Sequence, residues 1–168
     1  MKRINSLAVT VAIILITSTT SNQVFASGTH SHSHGELEKF DPTESEFGMY
    51  HPDMKPSRTV EITMADTMMF SPNAISVKKG DVILFKHTNN GAMMHEFVLG
   101  TPESLDEHAE MMKKFPGMEH EEPYMLHVAP GKTGQIIWKF SKSGSFAFGC
   151  LIPGHYQTGM KGTVVVEV

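Results

Sequence analysis

The chain has 168 residues, of which 40% are hydrophobic, and its formal net charge is −4 with the histidines neutral. That length predicts one domain with a substantial core plus a tail. Past the third residue the sequence holds no basic cluster that could neutralise phosphates, so a nucleic-acid-binding role is excluded.

The first 26 residues show the three-part pattern of a cleavable secretory signal. Two basic residues precede an apolar stretch over residues 7–16, and small and polar residues follow as far as Ala26. The apolar stretch is short for a bilayer, and no second one follows. The pattern therefore predicts a signal peptide over 1–26, export, and no membrane anchor after cleavage; a retained anchor is the weaker alternative.

Residues 27–57 show neither helical nor strand periodicity and are rich in serine, glycine, proline and charge. This composition predicts a flexible arm. Within the arm, His30, His32 and His34 alternate with small polar residues, a pattern that can gather a divalent metal without any fold. A solvated linker would have the same composition, so both interpretations remain open.

From Arg58 the sequence changes to short apolar stretches separated by turn signals, which predicts an all-β domain over 58–168. The predicted strands lie in RTVEITMA, NAISVKKGD, VILFKHTNNG, HEFVLG, YMLHVAPGKTG, QIIWKFSKSG, SFAFGC and GTVVVEV. Regularly spaced strands of this kind indicate a β-sandwich or a barrel.

One segment, TPESLDEHAEMMKKFPG, interrupts the strands and predicts a short helical insertion. Thr101 or Ser104 can cap the helix, and Pro116 ends it. The apolar residues that recur at helical spacing are Leu105, Ala109, Met112 and Phe115.

The segment FGCLIPGHYQTGM places Cys150, His155 and Met160 with four residues between each neighbouring pair. A straight strand would spread these side chains over roughly 30 Å, at ~3.3 Å per residue, whereas a loop can gather them around one point. A fourth ligand would come from a neighbouring strand, and His95 begins the apolar stretch EFVL.

The single cysteine of an exported chain cannot form an internal disulfide, so it is inert, paired with another chain, or bound to a metal. Two imidazoles, one thiolate and one thioether are the ligand set of a type 1 copper site. The combination therefore predicts one copper ion, cycling between Cu(I) and Cu(II), at His95, Cys150, His155 and Met160.

With these motifs, FGCLIPGHYQTGM and MMHEFVLG, the stretch from 58 to 168 resembles the cupredoxins, the plastocyanin and azurin superfamily. The His-rich arm, the helical insertion and the many methionines look most like the periplasmic cupredoxins of bacterial copper tolerance. The resemblance implies a Greek-key β-sandwich in which His95, His155 and Cys150 form a trigonal plane and Met160 is axial. One position departs from it: Glu96 stands where many relatives have the Asn or Ser that ties the two ligand loops together.

The resemblance also implies that apolar side chains around the second histidine form a docking surface for a redox partner protein. The residues in question are Leu151, Ile152, Pro153, Tyr156, Met93 and Met94. Ordinary loop packing is the alternative interpretation.

Other histidines and methionines have weaker cases as ligands. His87 and His127 lie inside strand-like stretches, and we expect neither to bind the main copper. The segment 108–120 can hold Cu(I) transiently or can simply supply core and surface residues; its candidates are His108, Met111, Met112, Met118 and His120.

Together these features predict a monomeric electron-transfer protein of the periplasm that acts in copper tolerance. A protein that sequesters or delivers copper, with secondary redox activity, is the alternative. An enzyme is not expected, because a Cys150 and His95 hydrolase would lack a recognisable nucleophile motif and would leave Met160 without a purpose.

Overall fold

The computed structural model describes residues 37–118 and 120–168. The predicted signal peptide and the three histidines at 30, 32 and 34 lie outside the described residues. In the described part of the chain, no helix is both long enough and apolar enough to cross a membrane.

The described residues form short strands and one helix, α1 (Pro102–Lys114). In chain order the strands are β1 (Thr43–Ser45), β2 (Gly48–Tyr50), β3 (Arg58–Ala65), β4 (Met69–Ser71), β5 (Ala74–Lys78), β6 (Val82–Asn89), β7 (His95–Gly100), β8 (Met125–Val128), β9 (Thr133–Lys139), β10 (Gly144–Gly149) and β11 (Lys161–Glu167).

The strands form two sheets, in the orders β1-β2-β9-β6-β3-β4 and β5-β11-β10-β7-β8. Most neighbours are antiparallel, while β3 with β6 and β5 with β11 are parallel. The predicted fold class is confirmed: the chain is an all-β sandwich with one helical insertion.

The main core lies between the sheets, and apolar residues that alternate along β3, β5 and β11 supply part of it. In β3, for example, Val60, Ile62 and Met64 are buried and their neighbours Glu61 and Thr63 are exposed. The same cluster takes in Trp138 of β9, Phe148 of β10 and Cys150. The cysteine therefore lies at one end of the hydrophobic core.

Helix α1 begins at a capping box, in which the Thr101 side chain accepts from the Ser104 N–H at 3.1 Å and the Ser104 hydroxyl accepts from the Thr101 N–H at 3.0 Å. Its buried face packs in a second cluster that includes Val98 of β7. The predicted apolar face is wrong at its last member, because Phe115 is exposed at the C-cap, where the helical backbone has ended.

The prediction of a flexible arm over 27–57 needs correction for residues 43–50. This part forms β1 and β2, and β2 pairs with β9 at the edge of the first sheet. Phe47 and Tyr50 are buried in the core, and the indole N–H of Trp138 donates to the Phe47 carbonyl at 3.3 Å. Strands of three residues are too short to show a period of two, so packing against Trp138 decides their structure.

We expect Tyr50→Phe to lower the free energy of unfolding by about 1 kcal/mol. The Tyr50 hydroxyl donates to the Glu38 carbonyl and accepts from the Phe40 N–H, both at 3.3 Å. Urea denaturation of the variant beside the wild type measures the difference. No change in midpoint would mean that residues 38–40 do not pack on β2 in solution.

Candidate metal centre

The sheet register brings the predicted ligand residues to one end of the sandwich. His95 is the first residue of β7, Cys150 directly follows β10, and Met160 directly precedes β11. Gly149, the last residue of β10, lies opposite Val98 of β7 on one side and opposite Lys161 on the other. The loop between β10 and β11 therefore folds back over the start of β7.

Three of the four predicted ligands converge. One ligand atom each from His95, Cys150 and His155 lies within 4.8 Å of the other two. The Cys150 Sγ is 3.3 Å from His155 Nδ1, and the two imidazole rings have centroids 5.1 Å apart. The three donor atoms therefore lie around a shared point.

Met160, the predicted axial ligand, is fully buried in the same core cluster as Cys150. Its carbonyl accepts from the Cys150 N–H at 3.1 Å, and its own N–H donates to the His155 carbonyl at 3.1 Å. The backbone thus ties all three loop residues together. Gly154 and Gly159 have φ of 95° and 100°, values that favour glycine at these bends.

The polar atoms of the site fit a metal ion. His95 is completely buried, and its Nδ1 has no hydrogen-bond partner, whereas its Nε2 is occupied by the Asp66 carboxylate at 3.0 Å. A buried, unpartnered nitrogen is costly unless something else binds it. With a thiol and a second imidazole beside it, and the Met160 side chain buried in the same core cluster as the cysteine, the donor set is one that copper prefers.

Burial raises the pKa of the Cys150 thiol to about 12, although the N–H groups of Glu96 and Ile152 act in the opposite direction. Burial, followed by the nearby His95 ring, lowers the pKa of His155. At neutral pH the imidazole is therefore free to bind a cation, while the thiol releases its proton only when a cation replaces it.

Glu96 connects the two ligand loops, a role that the sequence left in doubt. Its backbone N–H donates to the Cys150 Sγ at 3.3 Å, and its carboxylate accepts from the Leu151 N–H at 3.0 Å. The other carboxylate oxygen lies 3.1 Å from His127 Nε2. A buried carboxylate with a histidine partner thus connects the two ligand loops.

Sequence reasoning missed two residues that hold the loop before His95. Asn89 donates from its side chain to the Met93 and Val128 carbonyls, at 2.7 and 2.8 Å. Asp66 accepts from the Ala92 N–H at 2.7 Å and from His95. Asp66 and His95 are 29 positions apart in the sequence, and no local motif marks such a pair.

The predicted apolar rim around His155 is only partly exposed. Met93, Met94 and Pro153 are exposed, and Ile152 is half-buried. The prediction is wrong for Leu151 and Tyr156, which are buried in the second cluster against α1. The Tyr156 hydroxyl also donates to the carboxylate of Asp106 in α1 at 2.7 Å.

The remaining candidates lie apart from the three converging ligands. His87 is buried in the core against Phe97, with ring centroids 4.3 Å apart, and His127 contacts Glu96. His108 of α1 and His120 have rings 4.9 Å apart, and the buried Nδ1 of His120 has no hydrogen-bond partner.

Comparisons with known proteins agree with this geometry. The chain is 43% identical over 148 residues to the copper-resistant cuproprotein CopI of Rubrivivax gelatinosus, an alignment that covers 88% of this chain and 89% of the relative. It is 30% identical to the CopI of Pseudomonas aeruginosa, with 84% and 89% of the two chains covered.

Among solved structures, the fold is similar to auracyanin from Roseiflexus castenholzii, with a TM-score of 0.59 and 22% identity over 68% of this chain and 100% of that one. The model of the copper binding proteins, plastocyanin/azurin family, matches residues 57–167, which include all four predicted ligands. The chain therefore belongs to the plastocyanin/azurin family of copper-binding proteins, and its cofactor is copper.

Proposed function

We propose that this protein binds one copper ion through His95, Cys150, His155 and Met160 and transfers single electrons in the periplasm as part of copper resistance. The observation that carries the proposal is the convergence of two imidazole nitrogens and a thiol at a buried point. We propose a carrier with no substrate of its own rather than an enzyme.

The residues around the site suit electron transfer because the backbone fixes the ligand loop. Hydrogen bonds among Cys150, His155 and Met160 hold this loop, so little rearrangement is needed when the charge at the site changes. Copper, when bound, supplies the one-electron couple between Cu(I) and Cu(II). The burial of His95, Cys150 and Met160 excludes water.

One side of the site is open to a partner. His155 is only half-buried, and Met93, Met94 and Pro153 are exposed near the ends of the two ligand loops. An imidazole edge surrounded by apolar side chains offers a short route for an electron to a docked protein. We propose that these residues contact the redox partner, whose identity is open, and that the protein works as a monomer.

The place of action and the physiological role are supported by sequence. The two CopI relatives carry copper resistance in their names and match this chain over most of its length. The amino terminus has the pattern of a secretory signal. Export places a redox-active copper protein where it can act on copper outside the cytoplasm.

The test is the visible and paramagnetic-resonance spectrum of the purified mature protein after addition of one equivalent of Cu(II). We expect an intense thiolate charge-transfer band that bleaches on reduction and returns on oxidation. A colourless protein would mean that Cys150 does not bind copper, and the proposal would then be wrong. Total copper per chain is measured in the same samples.

A second function, copper sequestration or delivery, is favoured by the pairing of His108 and His120. Their rings lie together, the His120 Nδ1 is buried without a partner, and Met111 is exposed on the same helix as His108. Imidazole and thioether groups both bind Cu(I). Total copper per chain, measured after addition of excess Cu(I) and removal of the unbound metal, tests this function: more than one bound copper would support it, and a ratio of one would oppose it.

Met160→Leu should keep copper bound but raise the reduction potential. A thioether is a weak donor that stabilises Cu(II) slightly, and leucine fills similar volume in the core without donating. Equilibration with a reference redox couple measures the change. Loss of copper from the variant would show that Met160 is a stronger ligand than we infer.

A further inference from the structure

We propose that Asp66 is a positioning residue of the copper centre: its carboxylate holds the His95 ring with Nδ1 toward the copper site and favours Cu(II) over Cu(I). The inference rests on the proposed function. It assigns a role to a residue outside the four ligands, in the turn that follows β3.

The contact itself is direct and sheltered. Asp66 Oδ1 lies 3.0 Å from His95 Nε2, while the His95 side chain is completely buried and that of Asp66 is 35% exposed. An ionised carboxylate is an acceptor only, so Nε2 must be the protonated nitrogen. The tautomer that results leaves a lone pair on Nδ1, the nitrogen that has no other partner.

The backbone fixes the carboxylate in this position. The Ala92 N–H donates to Oδ2 at 2.7 Å and the Met93 N–H to Oδ1 at 3.3 Å. A Cβ added at Gly91 would collide with the same carboxylate, so glycine leaves the room that Asp66 needs. Gly91, Ala92 and Met93, in the loop before His95, thus all accommodate or bind the Asp66 carboxylate.

The carboxylate is placed to act as an anionic acceptor. It accepts from the Ala92 and Met93 N–H groups and contacts the His95 ring, and an ordinary aspartate is ionised at neutral pH. An anionic acceptor makes its histidine a more basic ligand and fixes the orientation of the ring.

The direction in which Asp66 shifts the balance between Cu(II) and Cu(I) follows from its charge. Cu(II) carries one more positive charge than Cu(I), so a nearby anion stabilises the oxidised state more. The second histidine provides an internal contrast: the only hydrogen-bond contact of the His155 ring with a described residue is from Nδ1 to Cys150 Sγ. The two imidazole ligands therefore differ, because Asp66 makes a hydrogen-bond contact with the His95 ring and none with the His155 ring.

The experiment compares Asp66→Asn with Asp81→Asn in the copper-loaded mature protein. Asp81 accepts a backbone N–H from Lys78 at 2.9 Å in the turn before β6, at the far end of that strand from the copper site. The control therefore removes a carboxylate of similar local role that contacts no ligand.

We expect the equilibrium constant for reduction of Asp66→Asn by a one-electron reference couple to rise about tenfold, or ~59 mV. Asp81→Asn should match the wild type. An Asp66→Asn constant within about twofold of the wild type would overturn the proposal. The wild-type thiolate band reports the copper site separately: its absence refutes the site, whereas its presence with an unchanged constant refutes only the role of Asp66.

A second measurement needs no variant and covers the case in which Asp66→Asn does not fold. In the nitrogen-15-labelled Cu(I) protein, the His95 ring should carry its proton on Nε2, and that proton should resonate downfield of the corresponding proton of His155. A charge-assisted hydrogen bond produces such a shift. A proton on His95 Nδ1, or equal shifts for the two rings, would overturn the proposal.

Discussion

Cys150→Ser is expected to abolish the intense visible absorption of the copper-loaded protein. The band requires a thiolate bound to Cu(II), and the chain contains a single cysteine. A serine hydroxyl is a much weaker donor and would keep its proton at neutral pH. Absorption spectra of equal concentrations of variant and wild type, each with one equivalent of Cu(II), measure the loss.

The matched control for this experiment is Thr158→Ser, in the same loop. Thr158 donates from its hydroxyl to the His155 carbonyl at 2.8 Å, a bond that serine preserves. The control should therefore keep the band. If Cys150→Ser kept its colour too, the thiolate model of the site would be refuted.

His87→Leu is expected to make the protein more resistant to acid. His87 is fully buried beside Phe97, neither ring nitrogen has a hydrogen-bond partner, and burial lowers its pKa from 6.5 to about 3. The unfolded chain takes up a proton below pH 6.5, whereas the native His87 does not until about pH 3. Between these values the wild type therefore loses stability as the pH falls.

Below pH 6.5, each further pH unit lowers the free energy of unfolding of the wild type, relative to the variant, by about 1.4 kcal/mol. From pH 7.5 to pH 4.5, the free energy of unfolding of His87→Leu should rise by about 3 kcal/mol relative to the wild type. Urea denaturation at both values, with both proteins in the same metal state, measures this difference. His51→Leu is the control, because the side chain of His51 is 51% exposed.

Equal pH dependence of His87→Leu and the wild type would contradict the burial of His87 as a neutral ring. Leucine has a similar volume and no polar atoms, so it can occupy this apolar site between the sheets without leaving nitrogens unpaired. The comparison cancels the titration of the copper ligands, which both proteins share.

Much of the fold could be predicted because its signals are local. The alternation in β3 and the apolar stretches of β6, β7 and β11 are long enough to show their period. The helix had sequence signals for both its first and its last turn. The spacing of Cys150, His155 and Met160 indicated a common metal site because this combination of residue types in one loop is seldom found for another reason.

What the sequence did not reveal depends on contacts between distant residues. Strands β1, β2 and β4 have three residues each, too few for a pattern, and are stabilised by their neighbours. The link between Asp66 and His95 spans 29 residues. The role of Glu96 was in doubt from the sequence, and only the hydrogen bond that its carboxylate accepts from the Leu151 N–H shows that it connects the two ligand loops.

Because α1 packs against the ligand loop, the copper-binding segment depends on contacts with the helix for its structure. Residues 150–160, grafted onto another β-sandwich, would bring Leu151 and Tyr156 without the helix that covers them. They would also leave Tyr156 without Asp106, whose carboxylate holds its hydroxyl. The unit to be transferred is therefore the loop together with the helix, although residues 115–149 lie between them in the sequence.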